Sequence, residues 1–309
     1  MARIEVEISA AVWDELQRRR GGGDDLSTIV DRTLAEAFEL DGHTVYQVST
    51  AGALAEGVFG GVMTVATLEE HGDFGLGTFD GLDGELILID GRCYRATYGG
   101  EINEIDPTRK VPYAVVTRFS ADTTMRFDGV ATLADLEIEL DRTRSSDNMF
   151  LAIRGAGVFD TLAMRAACRA APSEGLLQAT RHQSEFAMSD LTGTIVGFWT
   201  PGYADQVAIA GYHFHFISDD RTVGGHVLDL ASARLEVGVQ TETSIVIATP
   251  NTAEFKSADL TGDHREAIAE SETLRRDSDQ SVGKARDSRP PRPAGDPNSA
   301  PGHRLSRCP

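Results

Sequence analysis

Three histidines between residues 211 and 230 have a spacing that suits metal binding. His213 and His215 are two residues apart, so on a β-strand, whose side chains alternate, they share one face. The turn-rich segment SDDRTVGG follows, and a hairpin loop of roughly four residues, centred on Asp220 and Arg221, would place His226 directly opposite His215. Three imidazoles on one face give the facial arrangement of a metal ion that keeps positions open for substrate. The sequence therefore predicts a three-histidine metal site.

The chain is strongly acidic, with a formal net charge of −19, while its 41% hydrophobic residues are ordinary for a globular protein. This charge disfavours nucleic acid, anionic membranes and anions, so an anionic substrate would need positive charge from a metal or an arginine. We find no membrane-spanning run and no signal peptide. Cys93, Cys168 and Cys308 are far apart and form no CxxC pair, which favours a reducing compartment without a disulfide framework. We therefore expect a cytoplasmic protein.

Residues 1–42 predict a small β-α-α arm. Alternating residues over 3–8 indicate a half-buried strand, and two amphipathic patterns separated by a glycine run indicate helices. This order resembles a ribbon-helix-helix module, which pairs with a second copy because one copy buries too little surface. The arginines at 18–20 favour DNA binding, but the outward-facing Glu5 and Glu7 would repel phosphate. We interpret the arm as a dimerisation module.

The sequence of residues 43–272 predicts a β-rich domain. Short apolar runs separated by glycine and aspartate indicate strands, among them ELILID, which begins at Glu85. We expect a surface helix over 131–150, a corner at 197–202 between two strands, and a helical segment near 253–272. The glycine-rich segment that follows residue 50 fits a helix or a strand equally well.

The chain changes in character after Glu272. Residues 273–309 hold eight Lys and Arg, four Asp and six of the eleven prolines, with almost no apolar residues. Such a segment cannot bury enough apolar surface to offset the entropy of folding. We therefore expect a disordered tail outside the catalytic chemistry.

A three-histidine site needs carboxylates and a cation, and the chain offers several. Spacing alone does not choose among the candidate carboxylates Glu85, Glu254 and Glu272, or among the candidate cations Arg154, Arg165 and Arg221.

Four sequence blocks resemble the acetolactate decarboxylase family. They are GTFDGLDGELILIDG (77–91), PTRKVPYAVVTRF (107–119), GTIVGFWTPGYA (193–204) and GYHFHFISDDRTVGGHVLDL (211–230). The similarity spans about residues 44–272 in conserved order, and its most specific feature is the His-x-His with a third histidine eleven residues later. It implies an α+β fold with mixed and antiparallel sheets in two halves and the metal site between them.

The resemblance also implies roles for individual residues. The three histidines match the family's zinc ligands, Glu85 matches a carboxylate at the metal, and Thr78 matches a threonine of the substrate site. Arg165 matches the arginine that points at substrate, although the sequence after it departs from the family's proline-containing run. A second glutamate falls in the block IAESE as Glu270 or Glu272, and we prefer Glu272 for its distance along the chain from His226.

The activity implied by the resemblance is decarboxylation of 2-acetolactate to acetoin and CO₂, within acetoin and butanediol biosynthesis. Zinc would stabilise the enediolate as the carboxylate leaves, and Arg165 would hold either that carboxylate or the enediolate oxygen. Glu85 and Glu272 are both candidates for catalytic proton donor and metal ligand. The expected partners are the small-molecule substrate and a second copy of the chain, with no membrane and no nucleic acid.

Two other functions fit parts of the sequence. A metal-dependent hydrolase or a cupin-like oxygenase would also use His-x-His on a strand, and would leave the LDGE and GFWTPGYA blocks as coincidence. A DNA-binding regulator would use the N-terminal arm, with the β-rich body as a sensor of metal or ligand.

Overall fold

A computed structural model of the chain describes residues 6–20, 25–37, 43–171 and 174–273. Two helices, α1 (Ala10–Arg19) and α2 (Leu26–Ala37), form the N-terminal region. The hydroxyl of Ser9 accepts a hydrogen bond from Val12 N and so begins α1. The prediction of a strand over 3–8 is wrong for the part of it that the structure describes, because residues 6–9 lie outside any strand. Residues 3–5 lie outside the described residues. A strand needs a hydrogen-bonding partner strand, and none pairs with this segment in the described part of the single chain.

The first half of the body is a seven-stranded mixed sheet. Its order is β14-β1-β8-β3-β4-β5-β6, with β1 and β14 parallel and the other neighbours antiparallel. Its strands are β1 (Thr44–Val48), β3 (Phe74–Thr78), β4 (Glu85–Ile89), β5 (Arg92–Ala96), β6 (Ile102–Glu104), β8 (Tyr113–Thr117) and β14 (Ser244–Ala248). Every residue of β3, β4 and β8 is buried, which explains why these strands are continuous apolar runs in the sequence.

The undecided segment after residue 50 is helical in two places. Helix α3 (Ala51–Ala55) begins at Thr50, and α4 (Val65–His71) begins at Thr64, each threonine accepting a backbone N–H through its side chain. A two-stranded ribbon lies beside α4 and consists of β2 (Met63–Thr64), which directly precedes that helix, paired with β7 (Lys110–Val111).

The second half is a five-stranded antiparallel sheet that curls until its long strands close on each other. The order is β10-β11-β12-β13-β9, and β13 also pairs with β10 along most of its length. The strands are β9 (Thr123–Val130), β10 (Phe150–Ala166), β11 (Ser184–Thr200), β12 (Gly211–Ser218) and β13 (Gly224–Glu242). The predicted corner at 197–202 was placed too early, because residues 197–200 still belong to β11. Gly197 allows this, since a side chain there would collide with the Phe214 ring of the neighbouring strand.

The two halves share a hydrophobic core. One buried cluster joins Leu76 and Ile87 of the first sheet to Val196, Phe198 and Ile217 of the second. A separate cluster fills the curled sheet, with helix α5 (Leu133–Thr143) covering it through Leu136 and Leu140. Helix α5 is shorter than the predicted 131–150 helix, because the backbone leaves the helical conformation at Arg144, whose ψ is 124°.

Three short helices complete the body, namely α6 (Leu176–Thr180), α7 (Ala253–Ser257) and α8 (Arg265–Thr273). Helix α8 packs against α6 and α3, with Ile268 and Ser271 buried. The helical segment predicted near 253–272 is therefore two helices with a turn between them. The tail from residue 274 lies outside the described residues. No helix in the described ranges is long and apolar enough to cross a membrane.

Candidate active site

The hairpin predicted from the histidine spacing is present. Strand β12 turns back through residues 219–222 into β13, and the register places the Cα atoms of His215 and His226 opposite each other. Arg221 in the turn has a φ of 58° and donates its backbone N–H to Ser218 O. The side chains that alternate with the histidines, Phe214 and Phe216, are buried in the core of the curled sheet.

The three histidines converge in a buried cluster. His213, His215 and His226 are 9%, 1% and 4% exposed, and their ligand nitrogens all lie within 4.8 Å of one another. The Nε2 of His213 and the Nδ1 of His226 are 3.1 Å apart. Two ligand nitrogens on one tetrahedral zinc ion lie roughly 3.4 Å apart, given Zn–N bonds of ~2.1 Å. The separation of the His213 and His226 nitrogens is thus close to that of two ligands on one ion, and the His215 nitrogen lies within 4.8 Å of both.

Backbone carbonyls decide which nitrogens of two rings face the cluster. The Nδ1 of His215 lies 2.8 Å from Leu86 O, and the Nε2 of His226 lies 3.2 Å from Glu272 O. A carbonyl can only accept, so each of these nitrogens carries the hydrogen, and the opposite nitrogen presents its lone pair to the cluster. Because Leu86 belongs to β4, the first sheet orients a ring that the second sheet carries.

Burial keeps the imidazoles neutral. Desolvation, followed by the charge of Arg165, lowers the pKa of His213 to about 3, and desolvation lowers the pKa of His215 to about 3 as well. The pKa of His226 is also lowered well below its ordinary value, chiefly by desolvation. Neutral imidazole is the form that binds a metal ion, so all three histidines are in their metal-binding form at any pH near neutrality.

Glu272 reaches the cluster from α8. Its Oε2 lies 3.4 Å from His213 Nε2, 3.7 Å from His226 Nδ1 and 3.6 Å from Arg165 Nη2. Burial raises the pKa of Glu272, an effect that Arg165 partly opposes. Glu272 Oε2 and His215 Nε2 are both buried without a hydrogen-bond partner among the described residues. A carboxylate oxygen and an imidazole lone pair left unsatisfied in one buried cluster fit a bound cation.

Glu85 approaches the cluster from the first sheet. Its Oε1 accepts a hydrogen bond from Ala167 N at 2.9 Å, and its Oε2 lies 3.7 Å from His215 Nε2. The Cα of Glu85 pairs with that of Thr78, which pairs in turn with Tyr113, so these three residues form a row across β4, β3 and β8. All three line the same pocket, and the Thr78 hydroxyl donates to Gly84 O at 2.9 Å, which holds the turn before Glu85.

Arg165 enters from the end of β10, where its Cα pairs with that of His226. The residue is 4% exposed, and its Nη1 donates to Gln183 Oε1 at 3.0 Å. The pocket in front of it is a cavity of about 40 Å³. Its apolar walls include Leu54, Leu82, Leu176 and Ile209. The arrangement combines a cation, two carboxyl groups and a three-histidine cluster that could hold a metal ion, in a small and mostly apolar pocket.

The structure separates the sequence candidates into two groups. Glu85, Thr78, Arg165, Glu272 and the three histidines all line this pocket. Glu270 is exposed on α8, and Glu254 lies on α7, outside the pocket lining. Arg154 pairs with Asp90 at 2.7 Å, and the Arg221 guanidinium lies over the Tyr94 ring. Of the two glutamates of the IAESE block, Glu272 therefore lines the pocket and Glu270 does not.

Sequence reasoning missed three polar residues of the site. Tyr113 and Thr180 line the pocket, and Gln183 holds Arg165. The alternation of β8 opposite Thr78 could have indicated Tyr113, since strands in register bring such residues to one face. Thr180 and Gln183 lie in and after a short helix with no periodic pattern, and no sequence signal marks them.

Comparison with known proteins finds a family whose model matches the part of the chain that forms most of this pocket. The family model of alpha-acetolactate decarboxylase matches residues 45–262. This match includes every pocket residue discussed above except Glu272, and it excludes α1 and α2.

Curated relatives and solved structures agree with that match. The alpha-acetolactate decarboxylase of Methanosarcina mazei is 40% identical over 217 residues, covering 70% of this chain and 75% of that protein. The alpha-acetolactate decarboxylase of Methylococcus capsulatus is 39% identical over 231 residues, covering 74% of this chain and 89% of that protein. The crystal structure of the alpha-acetolactate decarboxylase from Bacillus subtilis strain 168 superposes with a TM-score of 0.72 at 35% identity, covering 74% of this chain and 99% of that one. The chain thus belongs to the alpha-acetolactate decarboxylase family.

Proposed function

We propose that this chain decarboxylates 2-acetolactate to acetoin and CO₂. Family membership makes it a carboxy-lyase of acetolactate. The observation that carries the proposal is the meeting of three histidine ligand atoms, Arg165 and two carboxyl groups in one buried pocket. The comparisons do not favour a hydrolase, a cupin-like oxygenase or a DNA-binding regulator.

We propose zinc as the ion of the three-histidine group. Three neutral imidazoles are the protein donors of zinc sites that keep a position open for substrate, and zinc can expand to five ligands to include a carboxylate as well. His213 and His226 would bind through Nε2 and Nδ1, the nitrogens that face the cluster, and His215 through Nε2. When bound, the ion supplies a Lewis acid for the ketone and hydroxyl oxygens of the substrate.

Arg165 would bind the anionic end of the substrate. The whole chain is acidic, so an anion needs a local positive charge, and Arg165 is the arginine in the pocket lining. The guanidinium is buried, where a charge-assisted hydrogen bond is stronger than it is in water. The apolar walls exclude water and accommodate the methyl groups of 2-acetolactate.

Glu272 and Glu85 would have different roles, one at the ion and the other in proton transfer. Glu272 Oε2 is nearest the ligand nitrogens, and we assign it to the ion. Glu85 is fixed through Oε1 by Ala167 N, which leaves Oε2 available to carry the proton that replaces CO₂ on the substrate carbon. A proton delivered from one side sets the stereochemistry of acetoin. Thr78 supports this arrangement by holding the turn that precedes Glu85.

Metal content and acetoin release, measured on the same purified protein, test the proposal. We expect about one zinc per chain and acetoin formation from 2-acetolactate. His215→Ala is expected to lose both together, because three ligands become two. His182→Ala, at an exposed histidine outside the cluster, is the matched control and is expected to keep both. Stoichiometric zinc in the His215 variant, or wild-type protein that releases no acetoin, would refute the proposal.

We also propose that residues 1–42 form a dimerisation arm, residues 43–272 the catalytic domain and residues 273–309 a tail outside the chemistry. Apolar side chains of the arm are exposed in the single chain, among them Val6, Trp13 and Leu34 at 69%, 47% and 48%. A second copy would bury them.

Light scattering on the full chain and on a chain lacking residues 1–42 tests the arm. We expect a homodimer for the full chain and a monomer with unchanged turnover for the shortened one. A shortened chain that remains dimeric would place the interface on the body, and binding of duplex DNA by the arm would favour a regulator. A cytoplasmic location is likewise our proposal, to be tested by fractionating cells that express the chain.

A further inference from the structure

A hydrogen bond to one neighbour, Gln183, sets the direction in which Arg165 presents its guanidinium. Nη1 donates to Gln183 Oε1 at 3.0 Å, and Nη2 lies 3.6 Å from Glu272 Oε2, which is too long for a hydrogen bond. Nε is buried and has no hydrogen-bond partner in the described part of the chain. The guanidinium is planar with rigidly placed donors, so fixing Nη1 also fixes the edge formed by Nε and Nη2. The hydrogen bond to Gln183 therefore orients the Nε–Nη2 edge, and the N–H groups of that edge remain available to bind a ligand.

Gln183 is suited to hold this orientation. The residue is fully buried, and its Nε2 donates to Glu185 Oε1 at 3.1 Å while its Oε1 accepts from Arg165. A cation on one side and a carboxylate on the other fix which end of the amide is oxygen, because a guanidinium only donates and a carboxylate only accepts. Glu185 is also the Cα partner of Arg165 across β10 and β11. The amide thus bridges two charged side chains of neighbouring strands.

We propose that Gln183 is a positioning residue for substrate binding, which holds Arg165 so that its Nε–Nη2 edge receives the substrate carboxylate. Two parallel N–H groups match the two oxygens of a carboxylate, and such paired contacts add geometric specificity as well as energy. This inference rests on the proposed function, and it selects the carboxylate over the enediolate oxygen as the group that Arg165 holds. Gln183 itself does not touch the substrate.

The inference predicts an effect confined to ligands that carry a carboxylate. Acetoin has lost that group, so its binding does not depend on how Arg165 is oriented. Substrate and any unreactive carboxylate analogue do depend on it. A purely structural role for Gln183 would weaken both kinds of ligand, or would lower stability and metal content instead.

Isothermal titration calorimetry on the metal-loaded protein separates these cases. The ligands are 2,3-dihydroxy-2-methylbutanoate, which keeps the carboxylate but has no ketone to drive decarboxylation, and acetoin. For Gln183→Met we expect a roughly tenfold rise in the Kd of the carboxylate ligand and in KM, as for one lost hydrogen bond to a charged group. The Kd of acetoin, kcat and metal content should stay within about twofold. Gln183→Glu keeps an acceptor for Nη1 and should raise KM less.

Gln240→Met is the matched control. Gln240 is also fully buried and donates through its amide to Glu242 Oε1 at 2.9 Å, but it does not line the pocket. It should lower the melting temperature and leave both Kd values unchanged. If Gln183→Met does not fold, the smaller Gln183→Ser gives the same comparison.

Three results would overturn the inference: an unchanged KM, an equal weakening of acetoin and carboxylate ligand, or loss of the metal. Wild-type protein that binds the carboxylate ligand but forms no acetoin would instead refute the proposed function and leave the role of Gln183 standing.

Discussion

Glu242 is a buried carboxyl group outside the lining of the candidate active site, and we expect it to make the stability of the fold depend on pH. The residue is 2% exposed at the end of β13, its Oε1 accepts from Gln240, and its Oε2 has no hydrogen-bond partner among the described residues. Desolvation is the largest cause that raises the pKa of Glu242 from 4.5 to about 7, against smaller opposing effects of Thr117, Gln240 and His43.

The size of the effect follows from that shift. A carboxyl whose pKa is raised in the folded state stabilises the fold below its unfolded pKa, and this contribution is lost as the pH rises through the folded pKa. The shift from 4.5 to about 7, at ~1.4 kcal/mol for each pH unit, corresponds to about 3 kcal/mol of unfolding free energy. The loss falls between pH 4.5 and about 7, and stability is insensitive to this group at higher pH.

Urea unfolding of Glu242→Gln, compared with wild type at about pH 5 and about pH 8, measures this contribution. The amide imitates the protonated acid, so the variant should match wild type within about 1 kcal/mol at the lower pH and exceed it by about 2–3 kcal/mol at the higher one. A metal chelator in every sample removes the separate pH dependence of metal binding. Glu236→Gln is the control, because Glu236 lies on the same strand but is 51% exposed beside Arg126. An equal pH dependence in wild type and Glu242→Gln would refute the assignment.

Four further outcomes are expected. Arg165→Ala should lower kcat/KM by roughly 10- to 100-fold with the metal still bound, since it removes charge-assisted hydrogen bonds worth about 1.5–3 kcal/mol; loss of metal would contradict the role. Glu272→Gln should weaken metal affinity as judged by competition with a chelator, whereas Glu270→Gln, at an exposed position on the same helix, should not. Removing the metal with a chelator should lower the melting temperature, because an ion at 1,000 times its Kd stabilises the folded state by about 4 kcal/mol. Ending the chain at Thr273 should leave turnover within about twofold, and loss of folding would show that the tail supports the body.

The sequence determined those features that depend on local periodicity. Alternation along β12 placed His213 and His215 on one face, and the length of the turn placed His226 opposite, because strand geometry repeats every two residues wherever it occurs. The buried strands β3, β4 and β8 were also predictable from the sequence. Both faces of each strand are covered, so each strand is a continuous apolar run in the sequence. The ends of strands were harder to predict from the sequence. Strands β10 and β11 continue through residues whose conformation depends on pairing with strands distant in sequence.

Only the tertiary structure decided which charged groups reach the histidines. Sequence distance favoured Glu272 over Glu270 only weakly, and it is the packing of α8 on α6 and α3 that directs Glu272 inward. Leu86 O orients His215 from the other sheet, across 129 residues of chain. Gln183 reaches Arg165 because β10 and β11 pair in one particular register. These contacts join segments far apart in sequence, and their selection rests on packing and on satisfying buried polar atoms, which no local pattern encodes.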